Sequence, residues 1–105
     1  MDKKTRKKLR QIVTKYQEVK SKLEGNKDEL EDLEEQLDWI SSEEQDKIDN
    51  TPENFQNSDA FYDREEVASR LSDVFSTAMD VTRSCNSLIE DIASLLDDLD
   101  GVEDV

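Results

Sequence analysis

Apolar residues step in alternating threes and fours along two long stretches of this chain. The first reads Leu9, Ile12, Tyr16, Val19, Leu23, Asn26, Leu30, Leu33, Leu37, Ile40. The second reads Val67, Leu71, Val74, Ala78, Val81, Cys85, Leu88, Ile92, Leu95, Leu99, Val102. This is the spacing of a helix seam that faces a partner helix. It predicts a first helix over about 3–48 and a second over about 59–99, followed by a short acidic tail at 100–105.

The turn falls at 49–58. Pro52 cannot sit inside a helix but suits the first position of a new one, with Thr51 as its cap. Ser58, followed by Asp59, is the expected cap of the second helix. Two places inside the first helix carry stop signals, Gly25-Asn26 and Ser41-Ser42-Glu43-Glu44. The heptad phase crosses Gly25 without a skipped residue, so one continuous helix, bent at Gly25, is favoured. Asn26 then occupies a seam position, either fixing register there or opening the seam to water.

In an antiparallel pair, facing residue numbers have a constant total. Ile40 opposite Val67 gives 107, Leu9 opposite Leu99 gives 108, and a turn centred near Asn54 demands the same. The expected fold is therefore all-α: a single coiled-coil-like antiparallel helical hairpin.

Beside its ladder the second helix carries another apolar line, Ala68, Phe75, Thr82, Ile89, Leu96, widened by Met79 and Ala93. A two-stranded seam needs only two positions per heptad. Phe75, Met79, Ile89 and Leu96 are accordingly expected to mediate self-association, as a homodimer forming a four-helix bundle. The rival is a face that awaits another protein.

Composition fits long helices. Charged residues make up 40% of the 105 and hydrophobic residues 33%, too little apolar material for a thick layered core. The net charge is −14, unevenly placed. Residues 1–27 hold ten Lys or Arg and three acids, while 28–105 hold four and 25. Such an acidic surface disfavours nucleic acid and anionic membranes and favours a basic protein partner. The hairpin should set Lys3, Lys4, Arg6, Lys7, Lys8 and Arg10 beside Asp97, Asp98, Asp100, Glu103 and Asp104, neutralising both clusters. The acids of the middle section lack such a counterweight. Glu31, Asp32, Glu34, Glu35, Asp38, Glu43 and Glu44, with Trp39 as anchor, form the candidate partner-binding stripe. Trp39, Phe55, Phe61 and Tyr62 gather at the turn end, either sealing it or offering an anchor patch.

The chain has no histidine, so no His-based triad, HExxH zinc site or His general base is available. It has two glycines and no phosphate-cradling loop. Asp98-Leu99-Asp100-Gly101 fails as a calcium loop, because Leu96 takes the first ligand position. No catalytic residue, metal or cofactor is expected, and the protein is read as a non-enzyme. The lone Cys85 lies on the seam and reads as a small core residue. No signal peptide or membrane span is visible, which suggests a soluble cytoplasmic protein.

The segments Ser42-Glu43-Glu44-Gln45 and Asp49-Asn50-Thr51-Pro52-Glu53-Asn54-Phe55-Gln56-Asn57-Ser58 resemble the turn of a group of small acidic two-helix proteins of bacteriophages and mobile elements. The shared motif covers about 17 residues; the basic start of this chain departs from the group. The group has no assigned function. The resemblance implies a phage setting, where small acidic proteins often block host defence nucleases. Two functions are then expected to compete. One is an inhibitor that mimics nucleic acid, of anti-CRISPR or anti-restriction type, acting on a nucleic-acid-binding enzyme in the host cytoplasm. The other is a structural or assembly protein working through the apolar face of helix 2.

Overall fold

The computed structural model describes all 105 residues and is entirely helical: α1, Lys3–Asp49; one turn of 3-10 helix, Glu53–Phe55; and α2, Asp59–Glu103. The two long helices pack against each other. α1 passes through both stop signals without a break. No residue adopts a positive φ, so Gly25 and Gly101 are ordinary helical residues. α2 accordingly runs through Gly101 and ends four residues beyond the expected Leu99.

The helix ends follow from local hydrogen bonds. Asp2 caps α1: its Oδ1 accepts from the Thr5 N–H at 2.7 Å. α1 stops where Pro52 takes an extended ψ of 146°. Thr51 does not cap the following turn, because its hydroxyl donates back to the Lys47 carbonyl at 2.7 Å. That bond satisfies one of the carbonyls orphaned at the end of α1. Gln56 Nε2 then donates to the Thr51 carbonyl at 3.1 Å and holds the connection closed. Ser58 caps α2 as expected: its Oγ accepts from the Phe61 N–H at 3.1 Å.

The chain forms two compact units, Met1–Glu29 with Arg83–Val105 (unit 1) and Leu30–Thr82 (unit 2). In unit 1, the Cys85 thiol donates to the Leu23 carbonyl at 3.7 Å. These numbers total 108, and the same total sets Leu9 opposite Leu99 and Tyr16 opposite Ile92. Leu9, Leu23, Cys85 and Leu99 are half-buried, and Ile92 is buried at 8% exposure. The other covered line of α1 here is Arg6, Val13 and Lys20, and on α2 it is Ile89, Leu96 and Glu103. Arg10 Nε reaches Glu103 Oε1 at 4.0 Å.

Unit 2 is a helical hairpin around the turn. Leu30 and Leu37 on α1 and Leu71 and Ala78 on α2 are half-buried. The second covered line consists of Glu34, Ser41 and Ile48 on α1, with Ala68, Phe75 and Thr82 on α2. Ala68 and Thr82 fall to 5% and 9% exposure. Together with Ile92 they are the only buried residues of the chain.

In both units the seam is thus rotated by one position from the expected ladders. The lines through Leu9 and Leu71 do face inward. The other halves of the ladders largely do not: Ile12, Val19, Leu33 and Ile40 stay exposed on α1, as do Val67, Val74, Val81, Leu88 and Val102 on α2, and Leu95 is the one apolar member of these halves that is half-buried. Asn26 is also exposed and holds no seam position. Side-chain chemistry explains why sequence chose the wrong flank. Arg, Lys and Glu carry aliphatic stems that cover apolar surface while their charged ends stay in water. Arg6, Lys20 and Glu34 therefore occupy half-buried positions that polarity alone would leave in water. α2 is apolar on both flanks of its central line, so either flank can turn inward.

Candidate functional site

Charge divides sharply between the units. Unit 1 holds 11 Lys or Arg against 12 acids and is close to neutral. Unit 2 holds three Lys or Arg against 16 acids, and so carries nearly all of the net charge. In unit 2 most acids lie on exposed helix positions three or four residues apart, about 5–6 Å between neighbouring Cβ atoms.

The expected stripe divides as well. Glu31, Asp32, Glu35, Asp38 and Glu43 are exposed, whereas Glu34 and Glu44 are half-buried on the covered side of α1. Glu44 also pairs with Lys47 at 3.0 Å. The acids that reach solvent best therefore exclude two of the predicted set. Asp32, Glu35, Gln36, Trp39 and Ile40 line a shallow, open hollow of about 310 Å³. Asp32 Oδ2 accepts from Gln36 Nε2 at 2.8 Å, which orients its carboxylate beside the indole. Trp39 is 66% exposed, an apolar platform set among carboxylates. The remaining aromatics do not form one cap. Phe61 is half-buried and meets Tyr62 edge to face at 6.2 Å, while Phe55 and Tyr62 stay exposed.

The basic start of α1 and the acidic tail lie in the same unit, as expected, but direct ion pairing between them is sparse. Glu103 is the one tail carboxylate paired with it, through Arg10. Lys20 pairs within its own helix with Glu24 at 2.8 Å. Lys8, Lys15 and Lys22 are exposed and make no ion pair.

The line expected to mediate self-association is covered within the chain. Phe75, Met79, Ile89 and Leu96 are all half-buried, because this flank of α2 is the one that turns inward. The free apolar surface lies on the opposite flank. In unit 2 it comprises Leu33, Ile40, Val67, Val74 and Val81; in unit 1 it comprises Ile12, Val19, Leu88 and Val102. All nine lie between 41% and 53% exposed. On each helix this flank is displaced the same way round from the packed line. In an antiparallel pair such positions emerge on the same side, so each unit presents one apolar patch contributed by both helices.

No group of three or more His, Cys, Asp or Glu side chains could hold a metal ion. No helix is long and apolar enough to cross a membrane. Compared with protein-family models, curated proteins and solved structures, the chain matches none.

Proposed function

We propose that this protein is a non-enzymatic acidic interaction protein that occupies the basic groove of a nucleic-acid-binding enzyme. The resemblance of its turn to the phage and mobile-element group suggests a host defence enzyme as the target, met in the host cytoplasm. The observation that carries this reading is the concentration of charge in unit 2, around an exposed Trp39. Phosphates advance about 3.4 Å per nucleotide along each strand, and helical carboxylates at about 5–6 Å offer a comparable density of negative charge. Trp39 supplies what charge alone lacks, a large rigid side chain of the kind that anchors interfaces.

The test is capture of a host nucleic-acid-binding enzyme by the purified protein at low salt, followed by competition with duplex DNA or RNA. Release of the enzyme by nucleic acid, and loss of capture with Asp32→Lys plus Glu35→Lys, would support mimicry. Capture that ignores both the competitor and the charge reversal would sink it. Glu34 is left out of this variant because its stem lies on the covered side.

A second reading has its own observation. Half-exposed aliphatic side chains gather on each unit, Leu33, Ile40, Val67, Val74 and Val81 in unit 2 and Ile12, Val19, Leu88 and Val102 in unit 1. They favour self-association as a homodimer in a four-helix bundle, which is compatible with either inhibition or an assembly role.

A further inference from the structure

Lys8, Lys15 and Lys22 recur at one heptad position of α1, and Glu29, Gln36 and Glu43 continue that same position. All six are exposed, and the three lysines and two glutamates make no ion pair within the chain. This position borders the exposed apolar line: Ile12 and Val19 follow Lys8 and Lys15 by four residues, and Leu33 and Ile40 follow Glu29 and Gln36. The rim of the apolar line thus changes sign along α1, from a lysine block to a glutamate-containing block. In paired helices, charges flanking an apolar seam set partner choice and orientation.

We propose that a second copy of this chain seats head to tail on the apolar flank, so that α1 runs antiparallel to α1 of the partner. Lys8 then lies beside the partner's Glu43 and Lys22 beside the partner's Glu29, and the two-fold axis repeats both contacts. This inference rests on the homodimer reading above and supplies its surface and polarity.

Three observations carry it. The first is area. Nine aliphatic side chains at 41–53% exposure offer on the order of 700 Å² per copy, close to the roughly 800 Å² per partner of a standard interface. The second is the inverted economy of the seam. α1 covers the stems of Lys20 and Glu34 while Val19 and Leu33, their chain neighbours, face water. A second copy on that flank covers the better apolar line and leaves the polar one at the edge. The third is charge. A head-to-head arrangement would oppose lysine to lysine and would bring together two units that each hold 16 acids against three cations. The head-to-tail arrangement opposes unlike charges at every turn of the rim. A closed two-fold contact also leaves no free copy of the patch to propagate a filament.

Sedimentation equilibrium of the full chain at low and high salt tests the proposal, with circular dichroism to check helicity. The expected result is a dimer that salt weakens, because screening removes attraction across the rim. Val19→Glu plus Val74→Glu should abolish it with helicity intact, since both side chains are exposed in the single chain. Lys8→Glu, Lys15→Glu and Lys22→Glu together should leave a monomer. Glu29→Lys with Glu43→Lys should do the same, and a mixture of the two charge variants should dimerise again. A monomer under all conditions would overturn both the dimer and its surface. A dimer that survives Val19→Glu plus Val74→Glu would overturn the surface alone. A dimer that salt strengthens would overturn the polarity alone.

Discussion

The thiol of Cys85 donates to the backbone carbonyl of Leu23 across the helix pair, 3.7 Å away. The carbonyl belongs to an intact helix, so the contact adds to the α1 hydrogen-bond ladder without breaking it. It fixes which turn of α2 faces which turn of α1 in unit 1. Cys85 fits there because it is small and weakly polar, a packing residue first and a donor second.

Cys85→Ala should therefore lower stability by about 1 kcal/mol, from a small void and a lost weak contact. Urea unfolding of the two proteins, followed by circular dichroism, measures it. An unchanged midpoint would mean that the Leu23 contact contributes nothing to the fold.

Gly25→Ala should act in the opposite direction. A Cβ built on Gly25 meets nothing within 4 Å, and the residue is helical. Alanine there should stabilise the chain by about 1 kcal/mol, through helix propensity and a less flexible unfolded state. Gly101 is equally open but sits in the last turn of α2, where fraying dilutes the gain. The pair Gly25→Ala and Gly101→Ala thus separates a mid-helix glycine from a terminal one within one protein.

The Asp2 cap makes the start of α1 sensitive to acid. The Thr5 amide holds the Asp2 carboxyl below its ordinary value of 3.8. A depressed carboxyl contributes fully above that ordinary value and loses its contribution as pH falls through the folded value. The first turn contains Lys3, Lys4 and Arg6 and no acid, so nothing else there offsets the helix dipole. Exchange of the Thr5 amide should accelerate on acidification, after correction for its intrinsic pH dependence. Asp2→Asn should remove that acceleration while keeping a capping oxygen. A local probe suits the test, because the cap touches only the first turn of α1.

Much of this fold was readable from residue order. The proline-ended first helix, the Ser58 cap and the pairing of Leu9 with Leu99 all rest on strong local or periodic signals. The continuity of α1 through Gly25 was readable too, because an unbroken heptad phase outweighs one poor helix former. What misled was the flank of each helix that turns inward. Binary patterning counts Lys20 and Glu34 as surface and Val19 and Leu33 as core. It cannot weigh a long stem against a short aliphatic chain when both helices offer a wide stripe. The same ambiguity left the half-buried Phe75 on the expected association face and the half-buried Glu34 and Glu44 in the expected acidic stripe, while Val74 stays exposed. The Asp2 cap was also missed, although an aspartate three residues before Thr5 is a fair N-cap signal. The signal is masked because Lys3, Lys4 and Arg6 fill the first turn, where acids are the usual mark of a helix start.

Neighbouring residues on α2 make that rotation measurable. Phe75 is half-buried and Val74 is 48% exposed, so truncating each should have different consequences for the single chain. Phe75→Ala should cost roughly 2 kcal/mol, less than the full penalty of a buried aromatic because part of the ring stays wet. Val74→Ala should change stability by less than about 0.5 kcal/mol, as expected of an exposed position. The comparison belongs at protein concentrations too low for self-association, because the proposed dimer would cover Val74 and lend it a cost of its own. Raising the concentration then becomes a second experiment. The Val74→Ala penalty should grow with concentration as the dimer fills, whereas the Phe75→Ala penalty is present from the start. Equal costs for the two at low concentration, or a larger one for Val74, would return the seam to the ladder written in the apolar residues.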